Sequence, residues 1–84
     1  MTDHHSYQIV RQLDATGLTC PEPVMLLHKL MREVAAGDCV EVRATDPSTQ
    51  RDIPKFCQFL NHSLLHQEVA ENLYIFHLRK GGQK

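Results

Sequence analysis

No apolar run in this chain exceeds four residues, the longest being Val24 to Leu27 and Leu73 to Phe76. A helix that crosses a bilayer needs about 18 or more, so a transmembrane helix is excluded. The start, Met1-Thr2-Asp3-His4-His5-Ser6, lacks the basic residues and apolar stretch of a secretory signal. A cytoplasmic location with no membrane attachment is therefore expected. An excess of charge is also missing: nine Lys and Arg against ten Asp and Glu leave a net charge of -1. No strong field draws the chain onto a phosphate backbone, which argues against tight nucleic-acid binding. Cysteine is scarce and widely spaced, with Cys20, Cys39 and Cys57 and no C-x-x-C pair. That excludes a disulfide framework and a thiolate zinc site, and reduced thiols are expected. Repeats, low-complexity tracts and interior linkers are absent too. With 42% hydrophobic and 23% charged residues the chain is too apolar for disorder. One domain over residues 1–84 is expected, with 1–6 and 81–84 flexible and a monomer as the default state.

What is present is a series of short amphipathic segments. Tyr7 to Leu13, with Ile9 and Leu13 in two-residue register, reads as a strand ending at Asp14-Ala15-Thr16-Gly17. From Pro21 to Ala36 the residues Val24, Leu27, Met31, Val34 and Ala35 share one face of a helical period, and Gly37 stops it. Val40, Val42 and Ala44 alternate with polar residues, predicting a half-buried strand closed by Asp46-Pro47. Ile53, Phe56, Cys57 and Leu60 follow helical spacing, with Thr49 and Asp52 placed as a capping box and Pro54 disturbing the first turns. Ser63 to Ala70, with Leu65 and Val69 apolar, and Leu73 to Lys80 predict a hairpin turning at Glu71-Asn72. The order is βαβαββ. Right-handed helical crossovers make this an α+β, two-layer sandwich: a mixed four-stranded sheet with both helices on one face and the other face open to solvent.

The string Cys20-Pro21-Glu22-Pro23 carries the chemistry. Proline is favoured at the first helical position, which makes Cys20 the N-cap. The positive end of the helix dipole there favours the nucleophilic thiolate. Pro21 and Pro23 remove two N–H groups that would solvate the sulfur, and Glu22 adds a nearby carboxylate. A modestly lowered thiol pKa is expected, which suits thiol exchange better than hydrolysis. No histidine has a local reason to act as base to this thiol. On local pattern alone Cys20 is equally a small cap in front of a proline.

Together Leu13-Asp14-Ala15, Gly17-Leu18, Cys20-Pro21-Glu22-Pro23, Asp46-Pro47, Arg51-Asp52-Ile53-Pro54 and Arg79-Lys80-Gly81-Gly82 closely resemble the TusA (SirA-like) family of small sulfur-carrier proteins. Glu22, Arg51-Asp52-Ile53-Pro54 and Cys57 match the branch that gives the family its name. The resemblance implies a two-layer βαβαββ sandwich and a sulfurtransferase role. Cys20 would accept a persulfide sulfur from a cysteine desulfurase and relay it to a downstream carrier. It further implies 2-thiouridine at the tRNA wobble position as the destination. No cofactor or metal is implied. Another class of function stays open: a non-catalytic interaction or regulatory module, with RNA a conceivable partner of the edge strand. A thiol redox protein is a third reading.

The remaining residues have competing readings. Met25, Lys29 and Arg32 line one polar helix face that starts one turn from Cys20, either as a partner-docking strip or as an ordinary solvated face. His28 stands where the family often has arginine. Asp46, Arg51 and Asp52 should reach the same sheet edge as Cys20, because loops that follow parallel strands share one end of the sheet. They would shape the sulfur site, or else Asp46 and Asp52 serve only as caps. Cys57 reads as a core thiol and Cys39 as the start of a strand at the far edge. His62 and His66 have helical metal spacing but fall in a strand, and His4, His5 and His77 read as solvated.

Overall fold

The computed structural model describes residues 7–82, so the expectations for residues 1–6 and for 83–84, His4 and His5 included, lie outside the described residues. The elements are β1 (Ile9–Ala15), α1 (Glu22–Glu33), β2 (Cys39–Ala44), α2 (Thr49–Leu60), β3 (Ser63–Ala70) and β4 (Leu73–Arg79). The sheet order is β1-β2-β4-β3. β1 runs parallel to β2, whereas β4 runs antiparallel to both β2 and β3. This is the mixed four-stranded sheet that the segment order predicts. No helix among the described residues is long and apolar enough to cross a membrane.

The core forms where the helix stripes meet the inner sheet face. Leu27, Leu30 and Met31 recur at helical spacing on α1 with Val34 just past its end, and Ile53, Phe56 and Cys57 do so on α2; all are buried. They close on Val40 and Val42 of β2 and Phe76 and Leu78 of β4, the two central strands. β1 and β2 both end at the edge that leads into the two helices. The two β-to-α connections, residues 16–21 and 45–48, therefore lie side by side, and Gly17 N–H donates to Thr45 Oγ1 at 2.8 Å between them.

Several local expectations are corrected. α1 ends at Glu33 instead of Ala36, because Asp38 Oδ2 takes the Ala35 N–H at 2.9 Å and Val34 is already extended. The capping box on α2 does not form: Thr49 Oγ1 donates to the Asp46 carbonyl at 2.7 Å, and Asp52 turns elsewhere. Pro54 lies inside α2 without ending it. Leu60 is half-exposed at the last turn. A register shift between Leu64 and His66 in β3 puts Leu64, not Leu65, against the core.

The outer sheet face is less open than the alternation suggests. His77, expected to be solvated, is buried with Nε2 3.0 Å from Glu41 Oε2, and the Tyr7 hydroxyl lies 2.6 Å from its Nδ1. Burial works against the Glu41 charge, but hydrogen bonds from His77 and from Arg43 Nε at 3.1 Å outweigh it and hold the carboxyl below its ordinary range.

Gly81, expected to be loose, is pinned, its N–H donating to His62 Nδ1 at 2.9 Å. Burial, helped by Lys80 and His28, holds the His62 pKa below the usual histidine range, which leaves a neutral ring nitrogen to accept. A Cβ at Gly81 would run into the Asn61 carbonyl. One of the two backbones must shift, and a shift of Gly81 strains its bond to His62. Gly81→Ala should therefore lower stability by about 1–2 kcal/mol, read as an earlier urea midpoint with the slope unchanged.

Candidate functional site at Cys20

Of the three cysteines, Cys20 is exposed while Cys39 and Cys57 are buried. Burial pushes the Cys57 thiol up to about 11, so it stays protonated at neutral pH. Cys39 begins β2, at the opposite end of the strand from Ala44 and the Cys20 loop. Cys20 is thus the thiol open to chemistry.

Cys20 does not cap α1. Pro21 holds the N-cap position, the Cys20–Pro21 peptide is cis, and the first helical turn is joined by Glu22 N–H to the Thr19 carbonyl at 2.9 Å. The sulfur meets α2 instead, with Sγ 3.3 Å from Asp52 Oδ2. The Cys20 backbone N–H donates to Asp46 Oδ2 at 2.6 Å. One carboxylate from the second connection and one from the first turn of α2 thus grip the cysteine of the first connection, Asp46 by its backbone and Asp52 by its thiol.

The two carboxylates are held differently. Asp46 is the hub of its own loop, taking the Ser48 N–H at 3.2 Å and the Ser48 hydroxyl at 3.0 Å as well as the Cys20 amide. Three such donors hold its pKa below the usual aspartate range. Asp52 receives Arg51 Nε on Oδ1 at 3.2 Å, from a guanidinium that is largely exposed. Its other oxygen is the one that faces the thiol.

The expected lowering of the Cys20 pKa is reversed. Its thiol is raised above the ordinary cysteine value, first by donating to Asp52, then by partial desolvation. The Ser48 hydroxyl works the other way, and the charges of Asp52 and Asp46 add to the rise. The helix dipole argument fails because the sulfur lies one residue before the cap, beside carboxylates.

Of the residues singled out in the sequence, Cys20, Pro21, Asp46, Arg51 and Asp52 come together here. Glu22 lies exposed in the first turn of α1. Pro23, in the first turn of α1, is fully buried. Met25, Lys29 and Arg32 are exposed along α1. Sequence reasoning missed Phe59, which is 82% exposed, and the groove of about 360 Å³ between the helices that it shares with Pro21, Val24, His28, Phe56 and Asp52. The signal was available: Phe59 is a large aromatic residue off the apolar stripe of Ile53, Phe56, Cys57 and Leu60. His28 instead stacks edge-on against Phe56, with ring centroids 4.7 Å apart, and flanks this groove. No cluster of side chains suited to a metal ion occurs among the described residues.

Comparisons with known proteins agree with this architecture. The family model described as Sulfurtransferase TusA matches residues 11–80. A protein named Sulfur carrier protein TusA from Pseudomonas entomophila (strain L48) is 63% identical over 68 residues, covering 81% of this chain and 85% of that protein. Its namesake from Pseudomonas aeruginosa (strain LESB58) is 57% identical over 81% of this chain and 86% of its own. Among solved structures, the SirA-like protein from Desulfitobacterium hafniense superposes with a TM-score of 0.74 at 22% identity. That superposition covers 86% of this chain and 99% of the other, a likeness of fold. With the family's model spanning most of the sheet and both helices, the chain belongs to the TusA sulfurtransferase family.

Proposed function

We propose that the protein is a persulfide carrier in which Cys20 accepts sulfur from a cysteine desulfurase and passes it to the cysteine of a downstream relay protein. The observation that carries this reading is that Cys20 is exposed while the other two thiols are buried, on a chain whose relatives are named sulfur carriers. In the loading step the Cys20 sulfur, as thiolate, attacks the terminal sulfur of the donor persulfide. The donor S–S bond breaks and its electron pair leaves on the donor cysteine, which takes up the proton. Cys20 then bears the S–SH group. Discharge repeats the exchange with the acceptor cysteine as nucleophile and Cys20 as leaving group.

The surroundings support the assignment of supporting roles. Asp46 fixes the Cys20 backbone, Pro21 starts the helix behind it, and Pro23 anchors that start in the core. Arg51 and Asp52 form the opposite wall. Met25, Lys29 and Arg32, with Glu22 at the reactive end, provide an exposed mixed apolar and charged strip on α1 against which a partner docks. Free thiols fit a reducing, cytoplasmic setting. The last element of the proposal, delivery of the sulfur to 2-thiouridine at the tRNA wobble position, rests on the resemblance of Glu22, Arg51-Asp52-Ile53-Pro54 and Cys57 to one branch of the family.

Incubation with a cysteine desulfurase and radiolabelled cysteine should place label on the protein, and dithiothreitol should release it. A protein that stays unlabelled while the desulfurase turns over would contradict the carrier role.

A further inference from the structure

We propose that Asp52 is a positioning residue that holds the Cys20 thiol in its protonated form in the isolated chain, making the sulfur site slow toward adventitious electrophiles. This rests on the reading of Cys20 as the reactive thiol, and it assigns a specific task to a side chain 32 positions away in sequence.

An ionised carboxylate can only accept, and an S–H can donate, so the 3.3 Å contact between Sγ and Asp52 Oδ2 exists as a thiol to carboxylate hydrogen bond. Removing the thiol proton would replace that bond with two negative groups at the same distance. The contact is not a chance of a flexible side chain. Asp52 is tethered through Oδ1 by Arg51, and α2 is fixed at its start by Thr49 on the Asp46 carbonyl. The Cys20 backbone is fixed by Asp46 from the same loop. Both ends of the bond are therefore positioned by one short segment, residues 46–52.

The charged and titratable groups around the sulfur divide by element. Asp46 comes from the loop before α2, Arg51, Asp52 and Lys55 come from α2, and Glu22 and His28 come from α1. The cations are not what the sulfur meets: Arg51 directs its Nε to Asp52, and Lys55 lines the groove alongside that carboxylate. The carboxylates reach Cys20 itself. The raised thiol pKa agrees with this arrangement, with Asp52 as its largest cause.

Asp52→Asn keeps the shape of the side chain and removes its charge. The test is the rate of Cys20 alkylation by iodoacetamide as a function of pH, for the wild type and the variant. In this reaction the thiolate carbon–sulfur bond forms as the carbon–iodine bond breaks and iodide leaves. The variant's profile should move to lower pH, with a several-fold faster rate at pH 7. Its high-pH plateau should be lower than that of the wild type, because a more stable thiolate is a weaker nucleophile per ion. A purely structural loosening would raise the rate at every pH and would not cross the wild-type curve. Label stoichiometry reports folding, since Cys39 and Cys57 are buried and react only if the chain opens. Should Asp52→Asn take up more than one label, Asp52→Ser, which also lacks the charge, serves the same measurement. A profile unmoved or moved to higher pH in a singly labelled variant overturns the role of Asp52. Alkylation requires no sulfur donor, so that result leaves the carrier reading intact. Failure to load sulfur from a desulfurase would sink the carrier reading and leave the Asp52 result standing.

Discussion

Cys20→Ser should abolish the uptake of releasable sulfur from a cysteine desulfurase, the largest functional effect of any single change in this chain. Serine differs by one atom, and the position is exposed, so the fold should survive with its urea midpoint nearly unchanged. A hydroxyl is far too weakly acidic and nucleophilic to attack a persulfide. The other two thiols offer no substitute. Cys57 is buried among Ile53, Phe56 and the sheet, its pKa pushed up to about 11, and Cys39 is buried at the far end of β2. Loading measured beside circular dichroism and denaturation separates loss of chemistry from loss of structure.

The largest effect on stability should come from Phe76→Ala. Phe76 has no exposed surface and sits on β4, one of the two central strands, beneath both helices. Truncating such a ring removes its transfer free energy and leaves a cavity, a loss of about 3–5 kcal/mol. A chain of 84 residues is stable by about 4–13 kcal/mol in all. The variant should therefore unfold at a much lower urea concentration with a similar slope, and at the lower end of that range it would be largely unfolded in buffer. A midpoint shifted by less than about 1 kcal/mol would mean that the site collapses to fill the hole.

The architecture was readable because it rests on periodicity. Leu27 with Met31 and Val34, Ile53 with Phe56 and Cys57, and Val40 with Val42 each state their face locally, and the helix between parallel strands sets the topology. The departures are places where a specific side-chain contact, local or distant, or a backbone irregularity decides. Asp38 takes the Ala35 amide and cuts α1 short, while a register shift after Leu64 moves β3's apolar contact by one residue. His77 is buried because Glu41, 36 positions earlier, stands beside it on the neighbouring strand.

The site was half legible. That Cys20, Asp46 and Asp52 converge follows from the common edge of parallel strands. Which atom each carboxylate grips does not, and it reverses the sign of the thiol's pKa shift. The sequence places a helix dipole next to Cys20, whereas the fold places the sulfur before the cap and a carboxylate 3.3 Å away. Phe59 adds a second gap: it lies off the stripe of Ile53, Phe56, Cys57 and Leu60, so spacing leaves it at the surface, but only the packing of the two helices shows that it borders a groove with Pro21 and Asp52.

The most direct test of the central claim is peptide mass spectrometry of the wild-type protein after reaction with a cysteine desulfurase and cysteine, with thiols blocked before digestion. The account predicts a gain of one sulfur atom confined to the peptide that contains Cys20, with the peptides of Cys39 and Cys57 unchanged. Sulfur on either of those peptides in place of Cys20, or equal loading of the Cys20→Ser protein, would contradict it.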